Sequence, residues 1–218
     1  RASHDQAIGE IRVNAPMSFG TLHLGPAIAD FMKHYPQIRV QLILSDEMLD
    51  PVASGFDMTL RIAEPSGSLA LIEHIIAPVT RILCCSPAFF GSLSKVVTID
   101  SLKELPCLHY GNLPSGNQWK LTGPDGLHQI RVNGVLCSNN AEVLCQAAVA
   151  GLGIALLPTF ITGEELKKRR LQTILDDYES PPISLCLLYP PNRHLSARNR
   201  LFVKFMQNRF SEQPVWEG

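Results

Sequence analysis

Gly9-Glu10-Ile11-Arg12-Val13-Asn14-Ala15-Pro16-Met17-Ser18-Phe19-Gly20 passes from an alternating apolar strand, through small residues and a proline, into the start of a helix. A mirror of that construction lies in Ala150-Gly151-Leu152-Gly153-Ile154-Ala155-Leu156-Leu157-Pro158, where a helix ends on glycine and a buried strand follows. Strands and helices joined through small residues are the units of α/β folds, in which ligands gather where strand carboxyl ends meet helix amino ends.

Outward from the first stretch, residues 8–13 read as a strand and a helix runs on to about Tyr35. Ile28, Phe31, Met32 and Tyr35 stand at helical spacing and Pro36 stops the run. Pro26 inside it predicts a kink or a restart. Residues 38–44 predict a second strand, buried in a parallel sheet, residues 46–54 a short helix ended by Gly55, and residues 56–62 a third strand. Strand and helix alternating at such short spacing imply a right-handed parallel α/β unit. Two extended segments, 72–77 and 79–85, are separated by Pro78, and there the chain is expected to leave the first lobe.

The second lobe begins with short helices over 86–93 and 99–105 and a strand over 107–110. A loop over 112–117 follows, then a hairpin of 119–122 and 129–132 around Gly123-Pro124-Asp125-Gly126 and a strand over 135–137. The Ala-rich helix ending at Ala150 has Ser138, Asn139 or Asn140 as its cap, with Glu142 in reach of a capping-box contact. After the strand at 154–157 come a helix over 160–169 and a strand over 183–189 that returns to the first lobe. An amphipathic helix over 196–210 closes the chain, with Leu201, Phe202, Phe205 and Met206 on one face. The expected architecture is α/β, with two Rossmann-like lobes joined by two crossover segments. Lobe I takes residues 1–78 and 188–218 and lobe II residues 79–187, so that a hinge and a cleft are expected between them.

Composition narrows the function. The chain has 218 residues, 45% of them hydrophobic, and a formal net charge of -1. It can bury a full core, and it lacks the broad basic field that binding to nucleic acid would require. The six cysteines, Cys84, Cys85, Cys107, Cys137, Cys145 and Cys186, form no Cys-x-x-Cys pair. They are expected as buried reduced thiols, which suits the cytoplasm. No run approaches the ~20 apolar residues that span a bilayer. A first residue that is not methionine suggests a fragment or a processed product.

Enzyme chemistry finds no footing. The sequence has no Gly-x-Ser-x-Gly elbow, phosphate loop, triad or metal-ligand spacing, so neither catalysis nor a cofactor nor a metal is expected. Gly151-Leu152-Gly153 precedes a strand where a dinucleotide fingerprint would follow one.

Binding candidates stand at the element ends. Ser18, Phe19 and Gly20 open a helix whose unsatisfied N–H groups favour an anion, although Ser18 is equally suited to simple capping. Asn139 and Asn140 hold the corresponding place before the second-lobe helix, as caps or as ligands. Arg61 ends an apolar strand, where it can grip a carboxylate or pair with a structural acid. Ile62 lies beside it. His109 and Tyr110 end another strand as cleft-wall or hydrogen-bonding residues, with a satisfied, half-buried role the plainer option for His109. Trp119 suits the hairpin core better than a stacking platform.

Taken together, Val13 to Gly20 as quoted, the Phe31, Tyr35 and Pro36 spacing, Gly55-Phe56-Asp57-Met58-Thr59-Leu60-Arg61-Ile62, Cys84-Cys85-Ser86-Pro87 and the Ala150 segment form a distinctive order. Over residues 8–210 the chain resembles the effector-binding domain of LysR-type transcriptional regulators, most nearly the CrgA-like group. The resemblance implies a type 2 periplasmic-binding-protein fold with a small-molecule effector between the lobes, touched by Ser18, Phe19, Arg61 and Asn139 or Asn140. It implies an amino-terminal winged helix-turn-helix, outside these residues, through which alone DNA would be bound. It also implies homodimers, and tetramers of the full-length protein, in which the helix over 21–35 of one copy meets the helix over 141–150 of its partner. Leu24, Ile28, Phe31, Val143 and Leu144 are then the expected interface. Ala63 departs from the glycine usual in the family after Arg61-Ile62. A solute-binding component of a transporter would share this fold, and it would favour paired cysteines. A thiol count on the denatured chain separates the two: the regulator predicts six free thiols, the transporter component two or three disulfides.

Overall fold

The computed structural model describes residues 7–47, 49–65, 67, 70–111, 118–191, 195–211 and 216. The expected loop over 112–117, and part of the loop over 64–68, lie outside them. The chain divides into two units, residues 1–79 with 183–218 and residues 80–182.

In the first unit β1 (Gly9–Ala15) leads into one α-helical turn, α1 (Met17–Phe19), and then a π-helical stretch, Gly20–Leu24. An α-helix, α2 (Gly25–His34), completes the run. The restart expected at Pro26 is this π-helical segment. Pro26 has no N–H to give to the preceding turn, and the Gly25 N–H reaches back five residues to the Gly20 carbonyl. Next come β2 (Ile38–Leu44), β3 (Met58–Ala63) and β4 (Ile72–Val79). β1 pairs in parallel with β2 along its length and with β3 at Val13 and Asn14.

Two expectations for this unit are corrected. None of the described residues of 46–54 is helical: 51–55 form a turn, because Pro51 interrupts any helix and the Asp50 carboxylate accepts the Val52 N–H at 2.9 Å. β2 is an edge strand, not a buried one, and it leaves Arg39, Gln41 and Ile43 exposed. Pro78 also remains within β4 instead of ending it. β4 is the opposite edge of the sheet, where a missing N–H leaves no ladder bond unmade.

The second unit opens with β5 (Arg81–Cys85) and α3 (Pro87–Gly91), whose cap Ser86 accepts the Phe89 N–H. A 3-10 turn at Ile99–Lys103 precedes β6 (Pro106–Tyr110). The predicted hairpin is β7 (Gln118–Gly123) with β8 (Gly126–Arg131), followed by β9 (Asn133–Ser138) and α4 (Ala141–Val149). α4 ends in a Schellman turn: Gly151, at φ +85°, and Leu152 donate to the carbonyls of Ala148 and Ala147. β10 (Ile154–Pro158), α5 (Thr159–Lys167) and the short β11 (Gln172–Thr173) complete the unit, in a sheet ordered β11-β5-β10-β6-β9. Leu83, Leu102, Trp119, Leu121, Ile130 and Ile154 form its core.

The chain returns through β12 (Ile183–Tyr189) and ends with α6 (Ala197–Phe210). β12 lies antiparallel between β3 and β4 from its first residue, so the return precedes the expected residue 188, and the first unit's sheet runs β2-β1-β3-β12-β4. Phe202 and Met206 of α6 are fully buried, and Phe31 packs on Phe202 and Phe205 with ring centroids 5.3 and 5.4 Å apart.

Two glycines admit close approaches that a side chain would block. A Cβ on Gly153 would stand 2.3 Å from the backbone oxygen of Pro106, and one on Gly20 would stand 2.2 Å from the Leu44 side chain. Leu44 can rotate and a strand backbone cannot. Gly153→Ala is therefore expected to destabilise the chain by roughly 3 kcal/mol and Gly20→Ala by about 1 kcal/mol, as read from urea unfolding midpoints.

Candidate functional site

The parallel register brings the ends of β1 and β2 side by side, with Ala15 opposite Leu44. The residues just beyond these strands therefore meet. Asp46 accepts the Met17 N–H at 3.0 Å, and the Ala15 carbonyl accepts the Ser45 N–H at 3.0 Å. An internal carboxylate thus already occupies the first N–H of the helix, where an anionic ligand had been expected.

Ser18 does not cap its helix. Pro16 holds the cap position without a side-chain bond, and Ser18 lies within the first turn. Its hydroxyl is buried, at 6% residue exposure, and has no partner among the described residues. Thr59, at 1% exposure, is in the same state. It stands in register beside buried Asn14, whose Nδ2 donates to the Ile43 carbonyl at 3.0 Å. A dry, unpaired hydroxyl costs about 1–3 kcal/mol, so two of them in one small unit call for an explanation.

Phe19 and Gly20 are corrected from ligand contacts to core. The Phe19 ring is fully buried against Phe210 and Trp216, with centroids at 5.3 and 5.8 Å. Gly20 gives its N–H to the Pro16 carbonyl at 2.9 Å and admits Leu44. Arg61 uses Nη2 to hold the Leu49 carbonyl at 2.8 Å, which pins the segment after β2, and Ile62 next to it is half-buried.

In the second unit Asn140 is the α4 cap: its Oδ1 accepts the N–H groups of Glu142 and Val143 at 3.0 and 3.3 Å. Ser138 Oγ accepts the Asn140 N–H, and Asn139 is exposed. At the end of β6, Tyr110 is 51% exposed and His109 is half-buried. Trp119 Nε1 donates to His109 Nδ1 at 3.1 Å, and desolvation holds the imidazole below its ordinary pKa. One ring nitrogen of His109 is thus satisfied, and the core role for Trp119 is realised.

The proposed interface is also corrected. Leu24, Phe31 and Leu144 are fully buried and Ile28 nearly so, because α2 and α4 turn these residues into their own units. Of the five, only Val143 is exposed, at 42%.

Asp46, Thr59 and the Trp119–His109 bond are absent from the sequence-based candidates. Asp46 was within reach, since parallel pairing of the first two strands makes the residues after them neighbours. Thr59 carried no signal, because threonine is an ordinary strand residue.

Chemically the chain presents binding groups. Burial pushes the thiols of Cys85, Cys145 and Cys186 up to about 11 and that of Cys107 to about 12, and it raises Cys84 as well, so these thiols are poor nucleophiles. Among the described residues no group of three or more His, Cys, Asp or Glu could hold a metal ion. None of the described helices is long and apolar enough to cross a membrane.

Comparison with known proteins agrees with this architecture. The sequence pattern of the LysR substrate binding domain matches residues 4–211. The HTH-type transcriptional regulator DmlR of Escherichia coli K12 is 31% identical over 206 residues, covering 94% of this chain and 66% of the relative. The full-length virulence activator AphB of Vibrio cholerae superposes with a TM-score of 0.81 at 29% identity, covering 93% of this chain and 69% of AphB. The CrgA regulatory domain of Neisseria meningitidis gives 0.81 at 20% identity, covering 92% and 98%, a likeness of fold. Against the first curated relatives the chain spans 66% of their length.

Asn140→Ala removes a cap that serves two N–H groups and is expected to lower stability by about 1 kcal/mol, whereas Asn139→Ala stays within about 0.5 kcal/mol. Denaturant unfolding of the two variants checks the contrast.

Proposed function

The chain belongs to the LysR substrate binding domain family, and from that membership we propose that it is the effector-sensing part of a cytoplasmic, DNA-binding transcription regulator. DNA is contacted by a separate winged helix-turn-helix, a division that suits the near-neutral charge of this chain. The effector is a small polar molecule, and the Ser18 hydroxyl is its candidate contact in the first unit. Binding shifts the population of conformations, and the shift reaches the DNA-binding part through contacts between copies. Self-association runs over the outer faces of the helices, at Leu22 (39% exposed) and Val143.

The observation that carries this proposal is the buried, unpartnered Ser18 hydroxyl in the first turn after β1. A polar effector recovers the hydrogen bond that the chain leaves unmade. Ser18 thereby separates binding from folding: Ser18→Ala removes no bond to the described residues and is expected to leave the stability of the free chain unchanged or slightly higher.

The test is a thermal-shift screen against small carboxylates and aromatic metabolites, in parallel on the parent and on Ser18→Ala. A ligand at a hundred times its Kd adds about 2.7 kcal/mol and raises Tm by roughly 5–10 °C for a chain of this size. Ser18→Ala is expected to need about tenfold more ligand for the same rise. A cooperatively folded parent that no compound stabilises would count against effector sensing.

A further inference from the structure

We propose that His109 is a specificity-determining residue that presents a neutral Nε2–H donor to an oxygen acceptor on the effector, and that Trp119 is the positioning residue that sets this state. The inference rests on the effector-sensing function and assigns the chemistry of one of its contacts.

An indole N–H can only donate. Its bond to His109 Nδ1 at 3.1 Å therefore requires a lone pair on Nδ1, and a neutral ring must then carry its proton on Nε2. Trp119 has little freedom to turn away, being 5% exposed in the core formed with Leu102, Leu121 and Ile130. Imidazolium is disfavoured twice, because protonating Nδ1 would set two donors against each other and because burial already opposes the charge. The described residues paired with it and following it carry no carboxylate: Cys137 pairs opposite His109 on β9, and Tyr110 follows it on β6.

The other edge of the ring looks past the end of the strand. A Cβ built on Gly111 would lie 3.5 Å from Nε2, so Gly111 is the described neighbour of that edge of the ring, and its φ of +131° suits few other residues. Gly111 is itself tied down, its N–H donating to the Ser138 carbonyl at 2.9 Å. Among the described residues nothing accepts from Nε2. The chain therefore aims a fixed, uncharged donor at the carboxyl end of β6, where α/β sheets bind ligands. Such a donor accepts a carboxylate or carbonyl oxygen and opposes an amine or ammonium at that point.

The first measurement is the ring tautomer, by long-range 15N–1H correlation on the intact chain, with His109 assigned from the signal lost in His109→Gln. An Nε2–H tautomer that persists from about pH 8 down to about pH 6 is expected. An Nδ1–H tautomer or an imidazolium at neutral pH overturns the proposal. The second measurement is calorimetric titration with small carboxylates and the amines that match them in shape. The parent is expected to bind a carboxylate and to reject its amine. His109→Phe weakens the carboxylate about tenfold, and His109→Gln, which keeps a donor, restores part of the loss. Trp119→Phe frees Nδ1, so carboxylate affinity becomes pH-dependent and rises as the ring protonates, whereas in the parent it is flat. Carboxylates bound equally by the parent and by His109→Phe would overturn the assignment to His109 and leave effector sensing intact. Failure of every carboxylate to bind a folded parent would overturn both.

Discussion

Parallel pairing, of β1 with β2 and β3 in one unit and of β6 with β9 and β10 in the other, obliges neighbouring strands to finish at one edge of their sheet. Whatever follows those strands is gathered there. In the first unit this brings Pro16, Met17, Ser18, Ser45 and Asp46 together; in the second it brings Gly111 to Ser138. An antiparallel sheet would have sent alternate strand ends to opposite sides. β12, which is antiparallel to β3 and β4, begins at that edge, with Ser184 opposite Ala63 and Ile183 opposite Val79.

What happens at the edge is governed by the need to satisfy backbone donors. Asp46 takes the first N–H of the helix after β1, and Asn140 takes two N–H groups of α4. Each closes the direct route by which a helix amino end could hold an anion. The Ser18 hydroxyl, buried with no partner among the described residues, and the His109 ring, which the Trp119 indole bonds at Nδ1, are polar groups of another kind.

Packing decided several assignments that chemistry alone left open. Phe19, Leu24, Phe31 and Leu144 occur in segments with plausible ligand or partner roles, yet all four are fully buried within their own units. Helical spacing marks the apolar face of a helix, and a core or a partner can cover that face equally well. The exposed Leu22 and Val143 differ from their buried neighbours only by a fraction of a helical turn, and the π-helical stretch before α2 resets that rotation in a way the residue pattern does not disclose.

The amino-acid sequence by itself determined most of the order of strands and helices, though not the turn that stands where a helix over 46–54 is expected, together with the hairpin and the last helix. Each of these is written in residues close together along the chain: apolar periodicity, prolines and glycines at the stops, and short polar residues at the caps. It also placed the α4 cap among Ser138, Asn139 and Asn140, a choice that the structure settles on Asn140, and it placed Trp119 in a core. Only the tertiary structure decided that Asp46 meets Met17, that Ser18 and Thr59 are buried with no partner among the described residues, that Pro78 stays in an edge strand, and that the Trp119 indole bonds the His109 ring. Those facts join residues through register and packing across the fold, and the energies involved depend on which groups lose water together, which no local pattern encodes.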